Sequence, residues 1–271
     1  MAAAGKGTDS TKTDEQGSIW ENWTCLRSEL GIPGYWRSLT ENCAQWAEET
    51  SVCPFWKEFD KRRSAWSNEF YQRTRGPLLA GVELPKFCGK GHDRIRTKIE
   101  QFTSGEKTEG ERAEKVKEFW PADGPPVPRL NDLVRTRVEC QFLDGVEFIG
   151  SKLEELGRET SIEVRRHREG RLEGYFAQHL YFDHQVFFRF GGNPQPVTIQ
   201  CEVQIATQLA TRIWHGSHGV YEEWRGRRDA REDWQWNPKD HRFIARQLGH
   251  MIHLADGLLV QLRDARSGER T

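Results

Sequence analysis

The chain has no long hydrophobic run, no Cys-x-x-Cys pair and almost no net charge. Its apolar runs fall far short of the roughly 20 residues needed to cross a bilayer, which excludes a membrane span and argues for no membrane partner. The six cysteines, at 25, 43, 53, 88, 140 and 201, form no close pair, and two of them fall inside predicted strands. They read as buried free thiols in a reducing cytoplasm. A formal charge of −1 supplies no global field for nucleic acid or anionic lipid, so any basic site must be local. Residues 1–17 lack the apolar core of a signal peptide and read as a disordered leader. No internal repeat is present.

What is there suits a soluble globular protein. The 271 residues are 30% charged and 36% hydrophobic, enough for one large domain or a domain with a helical extension. Eleven tryptophans stand out, most of them outside the presumed sheet. Residues 18–76 form a Trp-rich helical region. Helices are expected from Trp20 to Leu30 and Tyr35 to Glu49, broken by Gly31-Ile32-Pro33-Gly34, with a third starting at Cys53-Pro54. In that third helix Trp56, Phe59, Arg63, Trp66 and Phe70 make an aromatic stripe that reads as core.

Residues 77–271 change character. An irregular stretch precedes a helix from about Asp93 to Phe102, with Asp93 as its N-cap. A charged, proline-containing surface insertion follows at about 103–128. Strands are expected at Leu133–Phe142, Ser161–His167, Phe176–Phe190 and Thr198–Ile205. Helices are expected at Gly145–Leu156, Leu209–Trp224 and Pro238–Arg263, the last with Phe243, Leu248, Ile252, Leu259 and Leu262 turned inward. This order predicts an α/β (α+β) fold, a helix-flanked sheet with a helical amino-terminal extension and a long carboxy-terminal helix.

The segment Thr198-Ile199-Gln200-Cys201-Glu202-Val203-Gln204-Ile205 alternates without a slip, with Glu202 between two carboxamides on its polar face. That face is either the wet side of an edge strand or a catalytic surface. Lys90 and Lys98 flank a helix start, where the dipole already favours an anion, and suit a polyphosphate. Asp132 has the parity of Val134 and Val138, not of Arg137, which puts it at a strand mouth. One such carboxylate can bind a divalent cation on phosphate oxygens, and an exposed ring such as that of Tyr175 can stack on a base. A second carboxylate, Glu202, can take a proton from an attacking hydroxyl. Arg165, Arg166, Arg168 and Arg171 form the strongest basic cluster, either a solvated loop or a phosphate or RNA contact.

In this order the pieces resemble the synthetase domain of the RelA/SpoT homologue family, which transfers pyrophosphate from ATP to a nucleotide 3′-hydroxyl. The matching stretches are Lys90-Gly91-His92-Asp93-Arg94-Ile95-Arg96-Thr97-Lys98-Ile99, Asp132-Leu133-Val134-Arg135-Thr136-Arg137-Val138, Gly174-Tyr175-Phe176-Ala177-Gln178-His179 and Glu202-Val203-Gln204-Ile205-Ala206-Thr207. His218 and Tyr221 echo a further signature. The likeness runs roughly from Lys86 to Arg225, plus the closing helix, and implies a nucleotidyltransferase-like mixed sheet. It implies Lys90, Lys98 and Arg137 on the ATP phosphates, with Asp132 and Glu202 on Mg²⁺. Glu202 would activate the acceptor hydroxyl, and Tyr175, His179, Gln204, His218 and Tyr221 would surround the acceptor.

The chain departs from the family at Ala206 and Cys88, where arginines are usual, and at Arg135, Glu173, Ser217 and Glu222. Ala206, Glu173, Ser217 and Glu222 lie on the acceptor side, so the reaction is carried over more directly than the acceptor. The resemblance implies a stand-alone alarmone synthetase making a (p)ppGpp- or (p)ppApp-type product. A second reading is a toxin that pyrophosphorylates the 3′-CCA end of tRNA and is neutralised by an antitoxin. A third is a catalytically inactive nucleotide sensor or partner-binding module.

Overall fold

The computed structural model describes residues 34–103, 127–170, 174–224 and 235–268. The expected Trp20–Leu30 helix, most of the 103–128 insertion and Arg171 lie outside the described residues. In chain order the elements are α1 (Tyr35–Ser51), α2 (Pro54–Thr74), β1 (Cys88–Gly89), α3 (His92–Thr103), β2 (Val134–Cys140) and α4 (Leu143–Glu159). There follow β3 (Val164–Gly170), β4 (Phe176–Phe188), β5 (Gln195–Thr207), α5 (Gln208–Trp224) and α6 (His241–Gly268). None of the described helices is long and apolar enough to cross a membrane.

The helices form where apolar residues recur at three- and four-residue spacing. In α1, Tyr35, Leu39, Cys43, Trp46 and Thr50 are buried. Pro54 opens α2, a position where the missing N–H costs nothing. The stripe Trp56, Phe59, Trp66 and Phe70 is core, as expected. Burying each such ring is worth about 2–3 kcal/mol, and the indole N–H groups are satisfied as well. Trp46 Nε1 donates to the Phe187 carbonyl at 2.9 Å and Trp56 Nε1 to the Pro85 carbonyl at 3.0 Å.

The five strands run in the order β1-β2-β5-β4-β3. β2 and β5 are parallel and the other pairs antiparallel. β5, which carries Glu202, is therefore the central strand, and the wet-edge reading of that segment falls away. One face of the sheet is closed by α1, α2 and α4. Phe55 packs on Phe182 with ring centroids 4.9 Å apart, Thr50 meets Cys201, and Glu147 of α4 takes a hydrogen bond from Gln178. The amino-terminal helices share one continuous core with the sheet.

Element ends shift by a few residues throughout, and Asp93 lies inside α3 rather than at its N-cap. β3 starts three residues later than expected, because Ser161 has φ 56° and belongs to the turn after α4. β5 begins earlier, at Gln195, and continues to Thr207. In α6, Leu259 and Leu262 are exposed. Phe243, Leu248 and Ile252 are half-buried as expected, and further contacts come from Gly249 on Gly174, His253 on Phe176, Asp256 on Thr207 and Arg263 on Asp144. A hydrophobic count misses the small and polar side chains among these contacts. Cys88 is exposed, whereas Cys43, Cys53, Cys140 and Cys201 are buried free thiols.

Candidate active site

Strand register arranges the open face of the sheet in cross-strand rows. Arg135, Glu202, Tyr181 and Arg165 lie side by side in one row. Arg137, Gln204, His179 and His167 form the next. Paired residues point to the same side, so the chemistry-bearing side chains of four strands are gathered on one surface.

At one border of this surface Asp132 sits in the turn just before β2, the strand mouth its parity required. Lys90 Nζ donates to its Oδ2 at 2.6 Å and Lys98 Nζ to its Oδ1 at 2.8 Å. Lys90 is held in place because its backbone N–H bonds the Leu133 carbonyl at 2.8 Å. Gly89, next to it, lies against α1 so closely that a Cβ would come within 2.5 Å of Cys43 backbone atoms. Lys98 is carried by α3, which Ile95 anchors in the core. Burial pushes the Asp132 carboxyl up, but the ammonium groups of Lys98 and Lys90 outweigh it and hold it at about 2. Burial lowers Lys90, and the neighbouring Asp132 offsets part of that. The result is a charged, tightly bonded cluster of one carboxylate and two ammonium groups.

Glu202 lies on the sheet itself and is only 5% exposed. Its Oε1 faces His179 Nδ1 at 2.7 Å and accepts from the Tyr181 hydroxyl at 3.3 Å. Its Oε2 accepts from Gln204 Nε2 at 2.9 Å. Gln204 is oriented in turn by Arg137, whose guanidinium donates to Gln204 Oε1 at 2.9 Å and meets His215 Nε2 at 3.0 Å. A buried carboxylate needs such partners. Burial, then the adjacent Glu202 charge, raises the Tyr181 hydroxyl above the ordinary phenol range, and the charge of Asp132 adds to the effect. The two clusters are thus within electrostatic reach of each other.

No protein-family model and no curated protein matches the sequence. Solved structures do. The small alarmone synthetase 1 from Bacillus subtilis aligns over 87% of this chain and 99% of its own, with TM-score 0.55 and 13% identity. The chain has the fold of a small alarmone synthetase. Two further structures align less closely and add nothing to the fold. They are the same Bacillus subtilis protein bound to its product pppGpp (14% identity, TM-score 0.49, 82% of this chain and 98% of that one) and a GTP pyrophosphokinase family protein from Streptococcus pneumoniae (16%, 0.48, 83% and 96%).

Within this synthetase fold Gly174 turns the chain into β4 with φ 77°, and a Cβ there would come within 2.6 Å of the Arg246 carbonyl. Only glycine fits that conformation and that approach to α6. The next residue, Tyr175, is half-buried, with its ring 4.5 Å from that of Trp214 and its hydroxyl 3.0 Å from His179 Nε2. Beside it opens a cleft. Ala206 lies at its floor, among Phe176, Ile213, Trp214, Ile252 and His253. His253 stacks on Phe176 at 3.8 Å, and burial lowers its imidazole pKa. Arg137 and Thr211 line the same cleft, so its wall is largely apolar but carries a guanidinium.

The structure brings together Lys90, Lys98, Asp132 and, on the adjoining surface, Arg137, Tyr175, His179, Glu202 and Gln204. The side chains of His218 and Tyr221 lie outside the described residues. The basic cluster is divided by the pleat of β3. Arg166 bonds Glu147 at 3.1 Å and Glu154 at 3.0 Å beneath the sheet, Arg168 bonds Glu147 at 2.9 Å, and Arg165 on the open side bonds Asp183 at 2.9 Å. Three residues of the site escaped the sequence reading. Tyr181 was recoverable, since period-two alternation places it on the face of His179. Trp214 and His215 come from α5, and no local pattern announces their position.

Proposed function

We propose that the chain is a nucleotide pyrophosphokinase that transfers pyrophosphate from ATP to a nucleotide 3′-hydroxyl, making an alarmone of the (p)ppGpp or (p)ppApp type. The observation that carries this is the pairing, on one open face, of a two-lysine cluster with a separate carboxyl group held by His179, Tyr181 and Gln204. Lys90 and Lys98 would leave Asp132 for the triphosphate oxygens and neutralise charge that grows on them. Glu202 would accept the proton of the 3′-hydroxyl as its oxygen bonds the β-phosphorus. The bond from that phosphorus to the α–β bridging oxygen breaks, and AMP leaves with the electron pair. Tyr175 and the cleft beside it would hold the acceptor base.

Asp132 and Glu202 would hold Mg²⁺. Two carboxylates with nucleotide phosphates completing the shell is the donor set this cation takes, and no cluster of three or more such ligands exists among the described residues. The cation would supply charge neutralisation at the phosphates.

Incubation with β-labelled ATP, Mg²⁺ and, in turn, GDP, GTP, ADP and deacylated tRNA tests this reading. Label is expected on a mononucleotide. Label on tRNA alone would overturn it in favour of the toxin with its antitoxin, and no transfer to any acceptor would favour an inactive nucleotide sensor. The carboxylate partners of Arg165, Arg166 and Arg168 leave no continuous cationic track among the described residues of β3, which weighs against the tRNA outcome.

A further inference from the structure

Glu202 is one end of a three-residue chain. His179 lies between it and Tyr175, with Nδ1 2.7 Å from Glu202 Oε1 and Nε2 3.0 Å from the Tyr175 hydroxyl. A neutral imidazole carries a single N–H, and an ionised carboxylate can only accept. With the hydrogen on Nδ1, which faces the carboxylate, Nε2 is left to accept the Tyr175 O–H. Each bond fixes the other. The imidazole is 5% exposed.

The outer end of the chain is the residue whose ring borders the cleft. We propose that Tyr175 and His179 are positioning residues. The Tyr175 hydroxyl selects the His179 tautomer, and His179 Nδ1–H locks the Glu202 carboxylate in the orientation from which it takes a proton. The side chain that would stack on the acceptor thereby also aims the base. Oε1 meets His179 and Tyr181 while Oε2 meets Gln204, so Oε2 is the less occupied of the two oxygens. This rests on Glu202 being the general base of the proposed transfer.

Tyr175→Phe keeps the ring and removes only the hydroxyl. Asparagine at 179 places an amide N–H near the Nδ1 position and nothing at Nε2. Tyr175→Phe is expected to lower kcat roughly tenfold, the scale of losing an orienting partner, with little change in acceptor KM. In a His179→Asn background the same change is expected to alter kcat by less than about twofold, because the two act through one path. Multiplicative losses in the double variant, or full kcat in Tyr175→Phe, would overturn the proposal. A second readout needs no turnover. Nitrogen-15 histidine spectra, assigned to His179 by the signal lost in His179→Asn, should show the Nδ1–H tautomer in the wild type and a mixture in Tyr175→Phe. An Nε2–H tautomer in the wild type would overturn it, whether or not any acceptor is ever pyrophosphorylated. Should His179→Asn not fold, the tautomer shift in Tyr175→Phe decides alone.

Discussion

Asp132 and Asp256 are both buried carboxyls, 9% and 2% exposed, and their surroundings shift them in opposite directions. At Asp132 two ammonium groups overcome burial and hold the group at about 2. At Asp256, on α6, burial raises the group and a hydrogen bond from Thr207 offsets only part of that. The second oxygen of Asp256 finds no hydrogen-bond partner among the described residues. Thr207 also accepts the Ala210 N–H at 3.1 Å, which makes it the N-cap of α5. So the same buried side chain sits in two opposite settings. In the Lys90–Asp132–Lys98 cluster, ionisation is enforced by two lysines. Where α6 is tied to the end of β5, a hydroxyl suffices and ionisation is opposed.

The largest effect should follow from removing the enforced charge. Asp132→Asn leaves Lys90 and Lys98 buried without a counter-ion and should cost about 3 kcal/mol or more in urea unfolding at pH 7. The sign of the pH dependence follows from a folded-state pKa lying below the unfolded one. The stabilisation by Asp132 is fully present above its unfolded value and is lost as pH falls toward about 2. The deficit of the variant should therefore narrow in acid; a constant deficit would mean the lysine pairs are not its source. A smaller loss, about 1–2 kcal/mol, is expected for Thr207→Ala, which removes a cap and the α6 tie together. The smallest belongs to Asp256→Asn. A carboxyl whose pKa is raised contributes stability below its unfolded value and loses it as pH rises through the folded value. This variant should thus match or exceed the wild type at pH 7. A loss as large as that of Asp132→Asn would erase the distinction.

The strand pattern around Glu202 was legible because β5 is strictly alternating, and its neighbours in register followed from that parity. Lys90, Lys98 and Asp132 were legible as charges at a helix start and a strand mouth, and their mutual bonds required the β1–β2 pairing to become visible. The aromatic stripe of α2 carried its own period. What stayed hidden depends on tertiary approach. Trp214 reaches Tyr175 only because α5 folds back over β5, and α6 docks in part through Gly249, His253 and Asp256, which no hydrophobic period selects. The basic run at 165–168 looked like one patch in sequence, yet the pleat sends alternate arginines to opposite faces.

The central claim is a division of labour, with phosphate binding at Lys90, Asp132 and Lys98 and proton removal at Glu202. It is tested most directly by measuring ATP binding and labelled pyrophosphate transfer side by side in the wild type and in Glu202→Gln. The glutamine keeps the volume and an oxygen for His179 and loses the base. The account predicts ATP affinity within about threefold of the wild type and transfer reduced by roughly 10²–10⁴-fold, the usual contribution of a general base. Near-normal transfer in Glu202→Gln, or loss of ATP binding in parallel with transfer, would contradict it.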